Sequence, residues 1–405
     1  YIFRKREISM LIKAGILIDG TGKRPQANRY IEIDNGRIKA VGQSGDFAAD
    51  AVLQAVDFSQ QTVLPGLIDT HVHLFLEGIY DLQERGRRWQ EDKEFTIVRG
   101  VKNLEMTLKK GVTTVRDLGG PYAISALLKK AVRRQVLVGP RVWAANRAIS
   151  ITGGHFHYAG GREADGPDAM VIAVREQVRE GADCIKVMMT GPVNFQKENA
   201  GIVELTVAET EALVNEAHRM GKRVAVHANG VDGVRQALAA GVQTLEHGAL
   251  LDERAVDELS ASPAYWIPTL LPFRRMLDYS FEHKAVTLPQ VGLENVYYHH
   301  QAMVRRGIDT GAKIVAGTDA GALGVEHGDL WWELVLLVEA GLAPLTAISA
   351  ATSLAAEAIG MEDEIGRLVA GKQADILVVE GNPLEDISCL RNVRQVYKAG
   401  VAVKT

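Results

Sequence analysis

The chain is poor in several things that would point to particular classes of protein. Among 405 residues only two are cysteine, Cys184 and Cys389, far apart and outside any Cys-x-x-Cys pattern. That argues against a disulfide framework and for a reducing, cytoplasmic compartment. No apolar run approaches the roughly 18 residues that a membrane-spanning helix needs, so no membrane partner is expected. There is no basic excess, because the formal net charge is −4 with both signs mixed along the chain, and nothing resembles a nucleic-acid footprint. Aromatic residues make up 6%, and no low-complexity segment or solenoid repeat is visible. Arg4, Lys5 and Arg6 precede a short apolar stretch, but Lys13 interrupts it and no small-residue cleavage site follows. A signal peptide is therefore not expected, and residues 1–9 read as an upstream extension with Met10 as the natural start.

What is present is an ordinary globular composition, 47% hydrophobic and 24% charged. The first 60 residues and the last 40 have β character. Each contains a two-residue hairpin signal, Asn35-Gly36 and Ala399-Gly400. Between them, short apolar strands alternate with amphipathic helices. Strands are predicted at 64–69, 113–117, 141–145, 184–189, 224–227, 244–247, 266–270 and 314–319. Thr206 with Glu209 predicts a capping box, and Gly221 predicts the end of that helix. Eight β-α units in order predict an α/β fold, a (β/α)8 TIM barrel over residues 64–365. The two β-rich ends, 1–63 and 366–405, are predicted to pair as a small β-sandwich domain.

In such a barrel the active site lies at the C-terminal ends of the strands. His71 and His73 close the first strand in Pro-Gly-Leu-Ile-Asp-Thr-His-Val-His. Their i, i+2 spacing puts both imidazoles on one face, about 7 Å apart along the chain. Lys186 lies within the fourth strand, His227 and His247 end the fifth and sixth, and Asp319 ends the eighth. One such residue is ordinarily structural. Six at equivalent places on five strands predict a binuclear site for two divalent ions, with Zn²⁺ the expected metal. A lysine buried in an apolar strand favours its neutral amine, which can take up CO₂. The resulting carbamate on Lys186 would bridge the metals, with His71, His73 and Asp319 on one and His227 and His247 on the other.

These motifs, with His-Ala-Asn-Gly at 227–230, Thr-Leu-Glu-His-Gly at 244–248, Gly-Thr-Asp-Ala-Gly at 317–321 and the tail at 371–379, resemble the binuclear amidohydrolase superfamily. The resemblance implies the same metal roles. Ile-Ser-Ile-Thr-Gly-Gly-His at 149–155 and Glu-His-Gly-Asp-Leu-Trp-Trp-Glu at 326–333 resemble its Xaa-Pro and Xaa-Arg dipeptidase (carboxypeptidase) and imidazolonepropionase-like branch. That implies a small-molecule substrate, a dipeptide or an N-acyl amino acid. The chain departs from several dipeptidases at Asn229, where they carry Tyr.

The expected reaction is attack on an amide carbonyl by a water shared between the metals. Asp319 is the expected base and then acid, and His155 the stabiliser of the oxyanion. Arg147 could bind a substrate carboxylate or serve structurally, and Asn229 and His327 are candidate substrate contacts. His157, in the same glycine-rich loop as His155, would line the pocket. The charged segment 80–93 is a candidate lid. His218, His283, His299 and His300 read as surface or packing residues. The alternatives are a hydrolase of cyclic amides, carbamates, ureas or esters, and a scaffold without catalysis. Assembly as a homo-oligomer stays open.

Overall fold

A computed structural model describes residues 9–89, 91–193, 200–283 and 290–404. Three sheets organise the chain. The first is built from both ends of the sequence. Its strands lie in the order Val401–Val403, Val393–Lys398, Ile376–Val379, Val56–Pro65, Ser9–Leu17, Gln26–Asp34, Arg37–Gly42. All neighbours are antiparallel except Ser9–Leu17 with Val56–Pro65, which are parallel. Asn35-Gly36 and Ala399-Gly400 turn the two hairpins with positive φ at both positions, the geometry that follows the strand twist. The sequence predicts two packed sheets here. The strands instead form one continuous sheet, whose edge curls back so that Ile38 N–H donates to Lys372 O and Gly371 N–H to Ile38 O. The curl encloses a core of Ile12, Leu17, Ile31, Ile33, Val63 and Ile376.

The middle of the chain forms two parallel sheets. One contains Leu67–Val72, Val112–Asp117 and Arg141–Ala144. The other runs Lys313–Ile314, Tyr265–Ile267, Thr244–Leu250, Arg223–Gly230, Cys184–Met188, Ile149–Ser150, Arg162–Glu163. Strands such as Leu67–Val72 and Cys184–Met188 are buried along their whole length, as parallel strands covered on both faces must be. The ladder does not run continuously around eight strands. Isolated backbone bonds cross the seams, among them those from Asp183 N–H to Ala144 O (2.7 Å) and from Thr70 N–H to Ala316 O (3.3 Å).

Three predicted strands change at their ends, each for a local reason. Residues 64–69 divide between two sheets, with Pro65 closing a strand of the terminal sheet and Leu67 opening a strand of the parallel one. Gly66 makes the crossing, where a Cβ would lie 2.3 Å from the Thr113 hydroxyl. The strand predicted at 266–270 stops at Ile267, because Pro268 has no N–H and Thr269 adopts φ +50°. The strand predicted at 314–319 keeps only Lys313–Ile314 in a ladder, and Asp319 turns to φ +56°. The short strands Ile149–Ser150 and Arg162–Glu163 are not anticipated by the sequence reading.

Helix ends follow their chemistry. Helix Val207–Arg219 starts with the Thr206–Glu209 capping box, Pro344 occupies the first turn of Pro344–Ala350, and Gly360 ends Ser353–Ile359 in the left-handed region. Among the described residues no helix is long and apolar enough to cross a membrane. Residues 1–8 and the side chain of His283 lie outside the description.

Candidate metal centre

The strand that follows Gly66 delivers Asp69, His71 and His73 to one face. Asp69 is fully buried and accepts from Thr318 N–H (3.0 Å), Thr318 Oγ1 (2.6 Å) and His71 N–H (3.2 Å). It thereby ties the first strand to the Gly-Thr-Asp-Ala-Gly turn. The backbone closes the same joint, with Asp319 N–H donating to His71 O and His73 N–H to Ala320 O, both at 2.8 Å. Asp319 Oδ1 then lies 3.2 Å from His73 Nε2 and 3.6 Å from His71 Nε2. Ligand atoms of His71, His73 and Asp319 all fall within 4.8 Å of one another. The His73 hydrogen bond and the neighbouring imidazoles outweigh burial and hold the Asp319 carboxyl below the usual carboxylate range.

Both histidines are oriented by their other ring nitrogen. His71 Nδ1 meets Glu246 Oε2 at 2.8 Å, and His73 Nδ1 donates to Gly119 O at 2.8 Å, which leaves both Nε2 atoms facing Asp319. Glu246 is fully buried and is balanced by Arg116 (2.8 Å) and Thr244 Oγ1 (2.6 Å). Strand alternation would send Glu246 and His247 to opposite faces. The φ of +71° at His247 breaks that alternation, so Glu246 reaches His71 while the His247 ring stands 4.9 Å from the His71 ring. His247 Nδ1 is fixed by Thr269 Oγ1 at 2.7 Å.

The rest of the predicted set gathers on the other side. The His227 and His247 rings are 4.5 Å apart, and the His155 ring is 4.5 Å from His227. Burial, and after it the charge on Lys186, lowers His71 to about 4 and His155 to about 3. Burial and the neighbouring imidazoles keep His227 and His247 well below the ordinary value. These rings are therefore neutral at pH 7, the form that ligates metal. Lys186 is 1% exposed, and its Nζ has no hydrogen-bond partner among the described residues. Burial lowers its amine to about 8. An ammonium buried without a partner is costly, and the His/Asp donor set beside it suits a divalent ion. The residues present fit the metal centre that the sequence predicts.

The predicted substrate contacts fare differently. His155 lies in the cluster, with Nδ1 buried and free of partners among the described residues. Asn229 is buried, its side-chain nitrogen 3.1 Å from His227 Nε2 and its oxygen accepting from Ala249 N–H. It positions the His227 ring. Arg147 directs Nε to Gly160 O (3.0 Å) and Nη2 to Gly161 O (2.6 Å), so its guanidinium braces the loop that carries His155. These bonds give Arg147 the structural role that the sequence allows, and they leave Nη1 without a protein partner among the described residues. His327 Nε2 donates to Leu76 O at 2.9 Å and supports the segment after His73. His157 Nδ1 bonds its own loop at Gly154 O. Glu246, Asp69 and Thr269 were not singled out in the sequence. A charged residue inside a buried strand, which needs a partner, was the available signal for the two acids.

Comparison with known proteins agrees with this geometry. The chain is 29% identical to ochratoxinase from Aspergillus niger over 426 aligned positions, covering 97% of this chain and 86% of that protein. It is 31% identical to imidazolonepropionase from Deinococcus deserti, over 49% of this chain and 46% of the relative. A solved Xaa-Pro dipeptidase with methionine bound in its active site superposes with a TM-score of 0.90 at 32% identity, covering 98% of this chain and all of the other. The model of the amidohydrolase family matches residues 62–403, a span that contains every predicted ligand from His71 to Asp319, and the chain belongs to that family.

Proposed function

We propose that the chain is a metal-dependent amidohydrolase acting on carbon–nitrogen bonds, a dipeptidase or carboxypeptidase that cleaves dipeptides or N-acyl amino acids. The observation that carries this reading is the convergence of His71, His73 and Asp319 beside a buried Lys186 whose amine has no hydrogen-bond partner among the described residues. His71, His73 and Asp319 would hold one divalent ion, and His227 and His247 the other. Lys186, its amine adding to the carbon of CO₂ with loss of one proton, would bridge them as a carbamate. When bound, two such ions, Zn²⁺ in our reading, make a shared water acidic and polarise an amide carbonyl.

The chain's own groups supply the rest. Asp319 stays ionised, so it takes the proton from the attacking water and passes it to the leaving nitrogen. His155, neutral and with a free ring nitrogen, donates to the developing oxyanion. Similarity to the Xaa-Pro dipeptidase and to ochratoxinase supports an amide substrate. We also propose that the two parallel sheets are the halves of a (β/α)8 barrel spanning 64–365, with 1–63 and 366–405 as its side domain.

The test is a substrate screen on Zn²⁺-loaded protein with dipeptides, N-acyl amino acids, lactams and carbamates, read by product chromatography. Release of an amino acid from a dipeptide or an N-acyl amino acid is expected. Hydrolysis of lactams or carbamates alone would reject the peptidase reading. A protein holding two metals that cleaves none of the four would reject the hydrolase.

A further inference from the structure

The predicted lid region contains helix Leu82–Trp89, which presents three arginines in unlike situations. Arg87 and Arg88 are paired with acids, Arg87 with Glu84 and Arg88 with Glu84 and Glu77. Arg85 is half-buried and has no carboxylate partner among the described residues. Its Nη1 alone is engaged, donating to Gly321 O (2.7 Å) and toward Glu77 O (3.4 Å). Gly321 lies two residues beyond Asp319, so the guanidinium is anchored at the rim of the ligand cluster. Its charge and that of Asp319 act on each other. A guanidinium has five N–H donors. With Nη1 engaged, Nε and Nη2 remain free among the described residues, and these form the side fork that receives both oxygens of a carboxylate.

A line of rings connects this fork to the metal ligands. Arg85 sits 5.5 Å from the Trp89 ring, Trp89 lies 4.6 Å from Tyr158, Tyr158 6.4 Å from His155, and His155 4.5 Å from His227. The indole Nε1 of Trp89 is a buried donor with no partner among the described residues. The segment before the helix is held in place, because Tyr80 stacks on Tyr279 at 4.0 Å and its hydroxyl donates to Arg275 O. A guanidinium without a carboxylate partner and an N–H without an acceptor among the described residues thus stand four positions apart on one helix.

We propose that Arg85, aided by the Trp89 indole N–H, binds a free carboxylate of the substrate and so selects N-acyl amino acids and dipeptides over their neutral carboxamides. This inference rests on the amide-hydrolase reading above. It gives helix Leu82–Trp89 a recognition role, and it places a reader of the carboxylate on the predicted lid segment.

The experiment compares N-acetyl-L-methionine with N-acetyl-L-methioninamide on Zn²⁺-loaded wild type, Arg85→Met and Arg85→Lys. Wild type is expected to prefer the carboxylate in kcat/KM. The preference should fall about 10- to 100-fold in Arg85→Met, carried mainly by KM, with an intermediate loss in Arg85→Lys, which keeps the charge and loses the fork. An unchanged preference in Arg85→Met overturns the proposal, as does an equal loss on both substrates with metal content retained. If wild type cleaves neither compound, calorimetric binding of the same pair decides. Preferential binding of the carboxylate that disappears in Arg85→Met upholds the inference, and the four-class screen above then decides the hydrolase reading separately. Equal binding to wild type and variant overturns it.

Discussion

The two halves of the site are built differently. His71, His73 and Asp319 already converge, and Glu246 and Gly119 O lock the ring orientations. His227 and His247 have no carboxylate between them among the described residues. Their neighbour is Lys186, a group of the wrong charge to bridge cations, buried and without a partner. One half is braced from behind by opposite charges, the Glu246 carboxylate against the Arg116 guanidinium. The other has its rings placed by neutral hydrogen bonds, from His247 Nδ1 to Thr269 Oγ1 and between Asn229 and His227. It lacks an anion unless Lys186 is modified. On the proposed carbamate, the difference would account for a lysine in an otherwise apolar strand.

The strongest way to break this comparison is Lys186→Ala. Metal content should fall from about two ions per chain toward about one, held by the preassembled half, and turnover should be abolished. Metal analysis after dialysis, with activity on the same samples, checks both. Retained turnover with two ions would remove the carbamate from the account.

A smaller effect distinguishes the supports of the two halves. Glu246→Gln weakens the charge-assisted bond to His71 and leaves Arg116 without its buried counter-charge. Metal affinity should drop about 10- to 100-fold. Thr269→Val removes only a neutral hydroxyl from His247 and should cost less. Competition with a chromophoric chelator measures both, and a larger loss in Thr269→Val would reverse the ranking.

The smallest effect concerns Glu333, which accepts from Leu270 and Leu271 N–H at the start of the helix after Thr269. Burial pushes its carboxyl up to about 8 from an ordinary 4.5. Between those values the unfolded chain has released this proton and the folded chain keeps it. The contribution to stability is therefore complete below about 4.5 and is lost as pH rises through about 8. Glu333→Gln has no such proton. The difference in unfolding temperature between wild type and variant should narrow from about pH 5 to about pH 9. A flat or widening difference in thermal melts would mean that the folded carboxyl is ionised.

Much of this site is legible in the chain because strand-end histidines, a buried lysine and Gly-Thr-Asp-Ala-Gly are local patterns with few structural uses in combination. The same holds for the Thr206 capping box and the Asn35-Gly36 turn, each set by neighbouring residues. Arg147 was ambiguous, since a guanidinium after a strand suits a substrate or a loop carbonyl equally well. The positions of Gly160 and Gly161 show the loop-bracing role, which the sequence does not. Glu246 stood next to a recognised ligand, yet alternation turned it away from the site until the left-handed backbone at His247 brought it back. The strand at 314–319 was overextended because an apolar run carries no mark of where a ladder stops.

The sequence by itself determined the ligand types, their order along the chain and the alternation of strand and helix, because these depend on composition and short-range periodicity. The tertiary structure decided which ring nitrogen faces Asp319, which acid orients which histidine, and that Arg85 is left without a carboxylate partner among the described residues. Those outcomes depend on contacts between residues up to some hundreds of positions apart, such as Asp69 with Thr318 and His71 with Glu246. Burial gives each such contact its force, because a polar group removed from water is held wherever its partner lies.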